Sequence, residues 1–78
     1  MLKYIMTKDK EPILFPPTIN HSEMAKDIRG EVVSAGFVSF SANKDGDVVA
    51  HAHGYSLTLD MQSHPEDSSI INRFLRLI

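Results

Sequence analysis

Cysteine and tryptophan are absent from this chain of 78 residues, and no apolar run approaches the length of a membrane-spanning helix. Without cysteine, neither a disulfide framework nor a thiolate metal site is available to stabilise the fold. A membrane-spanning helix needs about 20 consecutive apolar residues, so we expect no membrane partner. Residues 1–6 lack the extended apolar core of a signal peptide. These absences favour a cytoplasmic location.

A dense charge of one sign is also missing. The chain has eight basic and ten acidic residues, for a net charge of −2, and the signs alternate along it. Proteins that bind duplex nucleic acid need a basic stripe, because neutralising phosphates supplies most of their affinity. A mimic of nucleic acid would need a dense acidic face. We therefore expect no nucleic-acid partner.

The length and composition allow one small domain. The hydrophobic fraction of 42% and the charged fraction of 23% are ordinary for a globular protein. A chain of this size can build a single core of marginal stability. We expect one α+β domain over residues 1–78.

The first half of the chain predicts two strands and a helix. The strands are Leu2–Thr7 and Pro12–Phe15, and the second should begin at or lie on a sheet edge, since proline cannot donate to a ladder. The helix is expected over residues 21–29. Asn20 and Glu23 have the spacing of a capping box at its start.

The second half predicts two longer strands and a second helix. Strands are expected over residues 31–42 and 48–59, joined by a type I turn with a glycine bulge at Asn43-Lys44-Asp45-Gly46. A second capping box at residues 63–66 starts a helix that runs to about residue 77. Its apolar stripe consists of Ile70, Ile71, Phe74, Leu75 and Ile78.

The predicted order of elements is ββαββα. The simplest architecture for this order is a four-stranded antiparallel sheet with both helices on one face. The three-residue loop pairs Val38 with Ala52 and Phe40 with Ala50, so these side chains share one face. We expect Phe40 to lie beneath a helix.

The opposite face of the central hairpin is the predicted interaction surface. Because both helices are assigned to the other side, this face would be left uncovered, and apolar patches rimmed by polar groups mark contact surfaces. The alternative is that the N-terminal segment or the connection at residues 15–19 covers it. The predicted contact residues are Phe37, Ser39, Val49, His51, His53 and Tyr55, with Ser41 on the same face.

Two histidines on this face suggest a metal site as an alternative. His51 and His53 point the same way, since side chains alternate along a strand. A zinc site needs a third or fourth protein ligand, and the spacing does not select one among His21, His64 and Asp60. We therefore expect no bound metal and no other cofactor.

No motif of a catalytic centre is complete. The segment Gly54-Tyr55-Ser56-Leu57-Thr58 has Thr58 where a nucleophile elbow has glycine, and no helix is expected to follow at once. A calcium loop starting at Ser41 would have Ala52 in place of its final glutamate. No glycine-rich phosphate loop is present. We expect no enzyme and no catalytic residue.

Three stretches resemble small uncharacterised proteins of tailed bacteriophages and prophages. They are residues 14–25 (LFPPTINHSEMA), residues 32–40 (VVSAGFVSF) and residues 54–72 (GYSLTLDMQSHPEDSSIIN). The resemblance implies a protein of the host cytoplasm, made during infection or carried by a prophage. Many such proteins bind a host protein or signalling nucleotide, including inhibitors of host defence. It carries no active-site residue.

The leading hypothesis is a non-enzymatic binding module, a homodimer that contacts a host macromolecule. The alternative is a protein that binds a small ligand, a signalling nucleotide or a metal through the His51 and His53 face.

Overall fold

A computed structural model describes residues 1–77 of the chain. Ile78, predicted to belong to the stripe of the last helix, lies outside them. Within this part of the chain, neither helix is long and apolar enough to cross a membrane. The elements are β1 (Leu2–Thr7), β2 (Pro12–Phe15), α1 (His21–Ala25), β3 (Val32–Ala42), β4 (Val48–His53), β5 (Tyr55–Ser56), β6 (Met61–Gln62) and α2 (Asp67–Leu75).

The main sheet has four antiparallel strands in the order β2-β1-β3-β4. A separate pair, β5 and β6, forms a small second sheet. The α+β class and the four-stranded antiparallel sheet are therefore confirmed. The order becomes ββαββββα, because two short strands precede the last helix.

The central hairpin has the predicted register. Val38 pairs with Ala52 and Phe40 with Ala50. The turn is held by the Asn43 side chain, whose Oδ1 accepts hydrogen bonds from the amides of Asp45 and Asp47 at 2.9 Å each. Gly46 has φ +85°, the left-handed conformation that the glycine bulge requires.

One face of the sheet is covered by α2. Ile70 and Ile71 of this helix pack on buried side chains of β1, β3 and β4, and Leu75 adds a partly buried contact. The sheet residues of this core are Tyr4, Met6, Val38 and Ala50. The helix thus lies over β1, β3 and β4.

The other face is half covered by α1 and by the β5–β6 hairpin. Ile5, Phe15 and Ala35 form its buried core, and the partly buried side chains on it come from α1 and its flanks and from residues 59–61. The placement of both helices on one face is therefore wrong. The physical reason is that β1 carries Tyr4, Ile5 and Met6 in succession, all buried, so both of its faces need cover.

The predicted strand over residues 48–59 is wrong in its second half. β4 ends at His53, and Gly54 follows with φ +88°. This left-handed residue turns the chain away from the main sheet. The chain then returns as β5 and β6, which pair Tyr55 with Gln62 and Ser56 with Met61.

Two phenylalanines expected in the core are exposed. Phe40 is on the predicted face but 45% exposed, because the hydrogen bonds of α2 to β4 stop at Ala50 and leave the turn end of the hairpin uncovered. Phe74 is 57% exposed, although Ile70 and Ile71 of the same stripe are buried. The apolar stripe of α2 is wider than the part of the helix that contacts the sheet. Phe74, at the edge of this stripe, therefore stays exposed.

The helix starts differ from the predicted capping boxes. Asn20 makes no side-chain cap, and its carbonyl oxygen instead accepts from the amides of Glu23 and Met24. α1 ends at Ala25, well before residue 29. The second helix also lacks a side-chain cap, and the carboxylate of Asp67, its first residue, instead accepts from the preceding amide of His64 at 3.0 Å.

Candidate functional site

One row of side chains crosses all four strands on the face that bears α1. Phe15 of β2 pairs with Lys3 of β1, Lys3 with Phe37 of β3, and Phe37 with His53 of β4. On one side of this row lies the core covered by α1 and the β5–β6 hairpin. On the other side, β3 and β4 continue without β1, β2 or α1 beside them. The row therefore marks where the covered half of the face ends.

The rings along this row contact one another. His21 of α1 stands edge-on between Phe15 and Phe37, with ring centroids 5.4 and 5.7 Å apart and interplanar angles of 85° and 88°. Phe37 and His53 are stacked at 6.3 Å and 28°. Edge-to-face and offset arrangements are the favoured ones for such rings. These contacts fix the orientation of Phe37 between the buried ring of His21 and the exposed ring of His53.

His21 is buried, at 3% exposure. Its Nε2 lies 2.9 Å from the carbonyl oxygen of Gly36, and a carbonyl can only accept, so Nε2 carries the hydrogen. Burial lowers the pKa of His21, and the charge of Lys3 lowers it further. The His21 ring is therefore neutral and packs between the rings of Phe15 and Phe37. The sequence offered His21 only as a possible metal ligand, because its ring contacts depend on tertiary structure.

Beyond the row lies the hairpin arm, defined as residues 39–51. At its base Ala50 is buried beneath α2, and beyond Ala50 the sheet is covered on neither face. On the α2 side, Phe40 is 45% and Val48 46% exposed. On the opposite side, Ser41 and His51 are exposed and Val49 is partly buried. The arm therefore presents apolar side chains on both faces.

The predicted contact residues are brought together with one exception. Five of them share the face of β3 and β4 that is opposite α2, the outer face. Strand alternation requires this for Phe37, Ser39, Val49, His51 and His53. Tyr55 lies past the turn at Gly54, at the start of β5, and is 43% exposed. Tyr55 and Phe37 line the same cleft.

The serines and histidines of this face bond in diagonal pairs. Ser39 Oγ lies 2.8 Å from His53 Nε2, and Ser41 Oγ lies 2.7 Å from His51 Nε2. A serine beside an imidazole is part of a nucleophilic triad, but a triad also needs a group that orients the base. In residues 1–77, the second ring nitrogen of neither histidine has a hydrogen-bond partner. Each serine is therefore bonded to one histidine, and neither pair completes a triad among residues 1–77.

A metal centre is not assembled in the part of the chain that the structure describes. No group of three or more histidine, aspartate or glutamate side chains there is close enough to hold an ion. His51 and His53 lie on one face, as predicted, but each Nε2 is engaged by a serine hydroxyl. His21, His64 and Asp60 supply no third ligand to them.

A cleft of about 180 Å³ opens where the aromatic row meets the segment after β4. Lys3 Nζ donates to the carbonyl oxygen of Ile19 at 2.9 Å, and Thr58 Oγ1 accepts from the amide of Ser22 at 3.2 Å, so both walls are fixed by hydrogen bonds. The residues that line the cleft are Lys3, Asn20, His21, Phe37, Tyr55, Leu57 and Thr58.

Gly54 gives this cleft its shape. A side chain at this position would place Cβ 2.9 Å from a carbon of the Phe37 ring. Its φ of +88° is also one that other residues rarely adopt. Glycine therefore lets the chain turn directly over the Phe37 ring.

A second polar centre is buried under α2. Asp67 is 1% exposed, and its Oδ2 accepts hydrogen bonds from Tyr4 Oη at 2.5 Å, Ser34 Oγ at 2.7 Å and the His64 amide at 3.0 Å. Burial and the hydrogen bond to Asp67 raise the pKa of Tyr4 far above its usual value. The bonds join β1, β3 and α2. No pattern in the sequence indicated this buried network.

In comparisons with known proteins, no family model matches the chain, and no curated protein or solved structure shows significant similarity to it. The resemblance to bacteriophage proteins therefore stays a prediction. Function has to be inferred from the geometry of the residues themselves.

Proposed function

We propose that this chain is a non-enzymatic binding module that contacts another protein through the hairpin arm. The observation that carries this proposal is the arm's exposure on both faces beyond Ala50, with Phe40 and Val48 exposed on one side and Ser41 and His51 exposed on the other. Exposed apolar side chains rimmed by polar groups are typical of contact surfaces. A hairpin uncovered on both faces gains stability when a partner covers it.

The charges of the arm favour a protein partner. Its outer face has no formal charge when the histidines are neutral, and its charged residues lie at the turn, where Lys44 precedes Asp45 and Asp47. Nucleic acid would need a basic surface. An uncharged face can also pack against its own copy without like-charge repulsion.

The first partner we propose is a second copy of the chain. Symmetric dimers are the commonest oligomers of soluble proteins, and a small core of marginal stability gains from association. Following the resemblance to phage and prophage proteins, we also propose that the protein acts in the host cytoplasm, where the arm or the dimer contacts a host macromolecule. That second step depends on the resemblance alone.

The test is sedimentation over a range of protein concentrations. We expect a reversible dimer, and we expect Phe40→Ser to weaken it by roughly tenfold or more, as loss of a buried aromatic anchor does. Phe74→Ser is the matched control, because Phe74 is the same side chain and is also exposed, at 57% against 45% for Phe40, but lies on α2. It should leave the dimer unchanged.

A second variant, Val49→Asp, tests the other face of the arm in the same way. It should also weaken association. If the wild type is a monomer at every concentration, and both arm variants still capture the host protein that the wild type captures, the arm is not the contact surface.

A further inference from the structure

The cleft beside the aromatic row contains one charge. Lys3 is partly buried, and its ammonium group donates to the carbonyl oxygen of Ile19. Among residues 1–77 it has no carboxylate partner within hydrogen-bonding distance. An ammonium group has three hydrogens to donate, so donors remain for a ligand. His21 adds no second charge, because burial lowers its pKa.

The rest of the cleft is largely apolar or neutral. Phe37 and Tyr55 offer ring surface, and Leu57, at 86% exposure, offers an apolar side chain that the fold itself does not use. A cationic ligand would be repelled by Lys3. A purely apolar one would strip water from the ammonium without replacing it, which is unfavourable. The complementary group is an apolar one that carries a negative charge.

The size of the cleft limits the ligand further. Its volume of about 180 Å³ is below the roughly 300 Å³ at which pockets for whole drug-sized ligands begin. A complete nucleotide would not be enclosed. A single ring or branched side chain with one carboxylate matches the space.

We propose that this cleft is a binding site for a carboxylate attached to an aromatic or branched apolar group, with Lys3 pairing with the carboxylate and Phe37, Tyr55 and Leu57 contacting the apolar part. The same chemistry occurs in free organic acids and at the C-terminus of a peptide that ends in an apolar residue. The site is distinct from the hairpin arm, so it does not depend on the proposed self-association.

The experiment is an NMR titration of the isotope-labelled full chain with benzoate, benzamide and acetate. Benzoate should shift resonances of the cleft residues and saturate. Benzamide lacks the charge and acetate lacks the ring, so each should bind roughly tenfold more weakly or worse. A peptide ending in phenylalanine, with its C-terminus free or amidated, separates the two sources. Tighter binding of the free-ended peptide than of benzoate assigns the site to peptide ends, and the reverse assigns it to small acids.

The variant that tests the charge is Lys3→Met, which keeps the aliphatic stem. It should weaken benzoate binding by roughly tenfold while leaving benzamide binding unchanged. Lys44→Met, at the turn of the arm, is the matched control and should bind benzoate like the wild type. Equal affinity for benzoate and benzamide in the wild type, shifts centred elsewhere, or no saturable binding of any probe would overturn the proposal. The wild-type comparison does not depend on the folding of a variant.

Discussion

The side-chain amide of Asn72 pairs with the backbone of Ala50 as a neighbouring strand would. Its Oδ1 accepts from the Ala50 amide at 2.8 Å, and its Nδ2 donates to the Ala50 carbonyl oxygen at 2.9 Å. One turn earlier on α2, Ser68 Oγ accepts from the Ala52 amide at 2.8 Å. An open strand edge is a template for pairing with other chains. Here α2 satisfies the free edge of β4 with side chains, and this protection ends at Ala50, at the base of the hairpin arm.

Replacing Asn72 should therefore destabilise the fold and open this edge. Asn72→Ala leaves the buried amide and carbonyl of Ala50 without partners, and each unsatisfied group costs about 1–3 kcal/mol. Asn72→Asp should be at least as harmful, because it places a carboxylate oxygen against the Ala50 carbonyl. Urea unfolding measures the loss of unfolding free energy, and light scattering detects association of chains through the opened edge of β4.

The control for this change is Ser69→Ala on the exposed side of the same helix. It should alter the unfolding free energy by less than about 0.5 kcal/mol, as surface substitutions do. An Asn72→Ala variant as stable as Ser69→Ala would show that the Asn72–Ala50 pairing contributes nothing.

The sheet and its central register were predictable from sequence because local chemistry determines them. Asn43 and Gly46 select one turn, the turn selects the pairing of Phe40 with Ala50, and strand alternation then assigns every side chain of the hairpin to a face. The same alternation brought five of the six predicted contact residues together. Tyr55 was separated by the turn at Gly54.

The layers around the sheet were harder to predict. The consecutive apolar residues Tyr4, Ile5 and Met6 did indicate a strand buried on both faces, and this signal places α1 opposite α2. Nothing local in Asn72 or Asp67 distinguishes them from the solvated residues of an amphipathic helix. Their bonds to β4, and to Tyr4 and Ser34, form only when the helix docks.

The buried bond between Tyr4 and Asp67 should contribute measurable stability. Tyr4→Phe removes one of three donors to a carboxylate that is 1% exposed, and hydrogen bonds to charged groups contribute about 1.5–3 kcal/mol. The matched control is Tyr55→Phe, which removes the bond from an exposed tyrosine to Asp60. Urea unfolding at pH 7 should show a loss for the first variant and little change for the second.

The same tyrosine should make the protein sensitive to alkaline pH. The pKa of Tyr4 is raised in the folded state, whereas a tyrosine in the unfolded chain loses its proton near pH 10. The stability linked to Tyr4 is therefore complete below pH 10 and falls as the pH rises above it. Tyr4→Phe should reduce the decline in unfolding free energy between pH 9 and pH 10.5. An equal decline in both proteins would contradict this linkage.

A side chain at Gly54 should damage the fold more than one at Gly46. Both residues have positive φ, at +88° and +85°. A Cβ at Gly46 meets nothing within 4 Å, whereas at Gly54 it meets the Phe37 ring at 2.9 Å. Gly46→Ala should lose about 1–2 kcal/mol through backbone conformation alone. Gly54→Ala should lose more free energy of unfolding in urea and should shift the aromatic resonances of Phe37. Equal losses in the two variants would show that the Phe37 ring moves aside without cost.

The neutral ring of His21 should make the free energy of unfolding fall in mild acid. Its pKa is lowered in the folded state by burial and by Lys3, while a histidine in the unfolded chain takes up a proton near pH 6.5. The stability linked to His21 is therefore present above pH 6.5 and is lost as the pH falls toward the folded-state value. The loss is at most about 1.4 kcal/mol per pH unit for one proton.

Urea unfolding at pH 7.5 and pH 5.5 tests this linkage in the wild type and in His21→Gln. Glutamine has no titrating group, so the variant should be less stable at pH 7.5 but should lose less of its remaining stability on acidification. His64→Gln is the control, because His64 is exposed, and it should keep the pH dependence of the wild type. If removing His21 leaves the difference between the two pH values unchanged, the ring between Phe15 and Phe37 is not the group whose protonation the folded state resists.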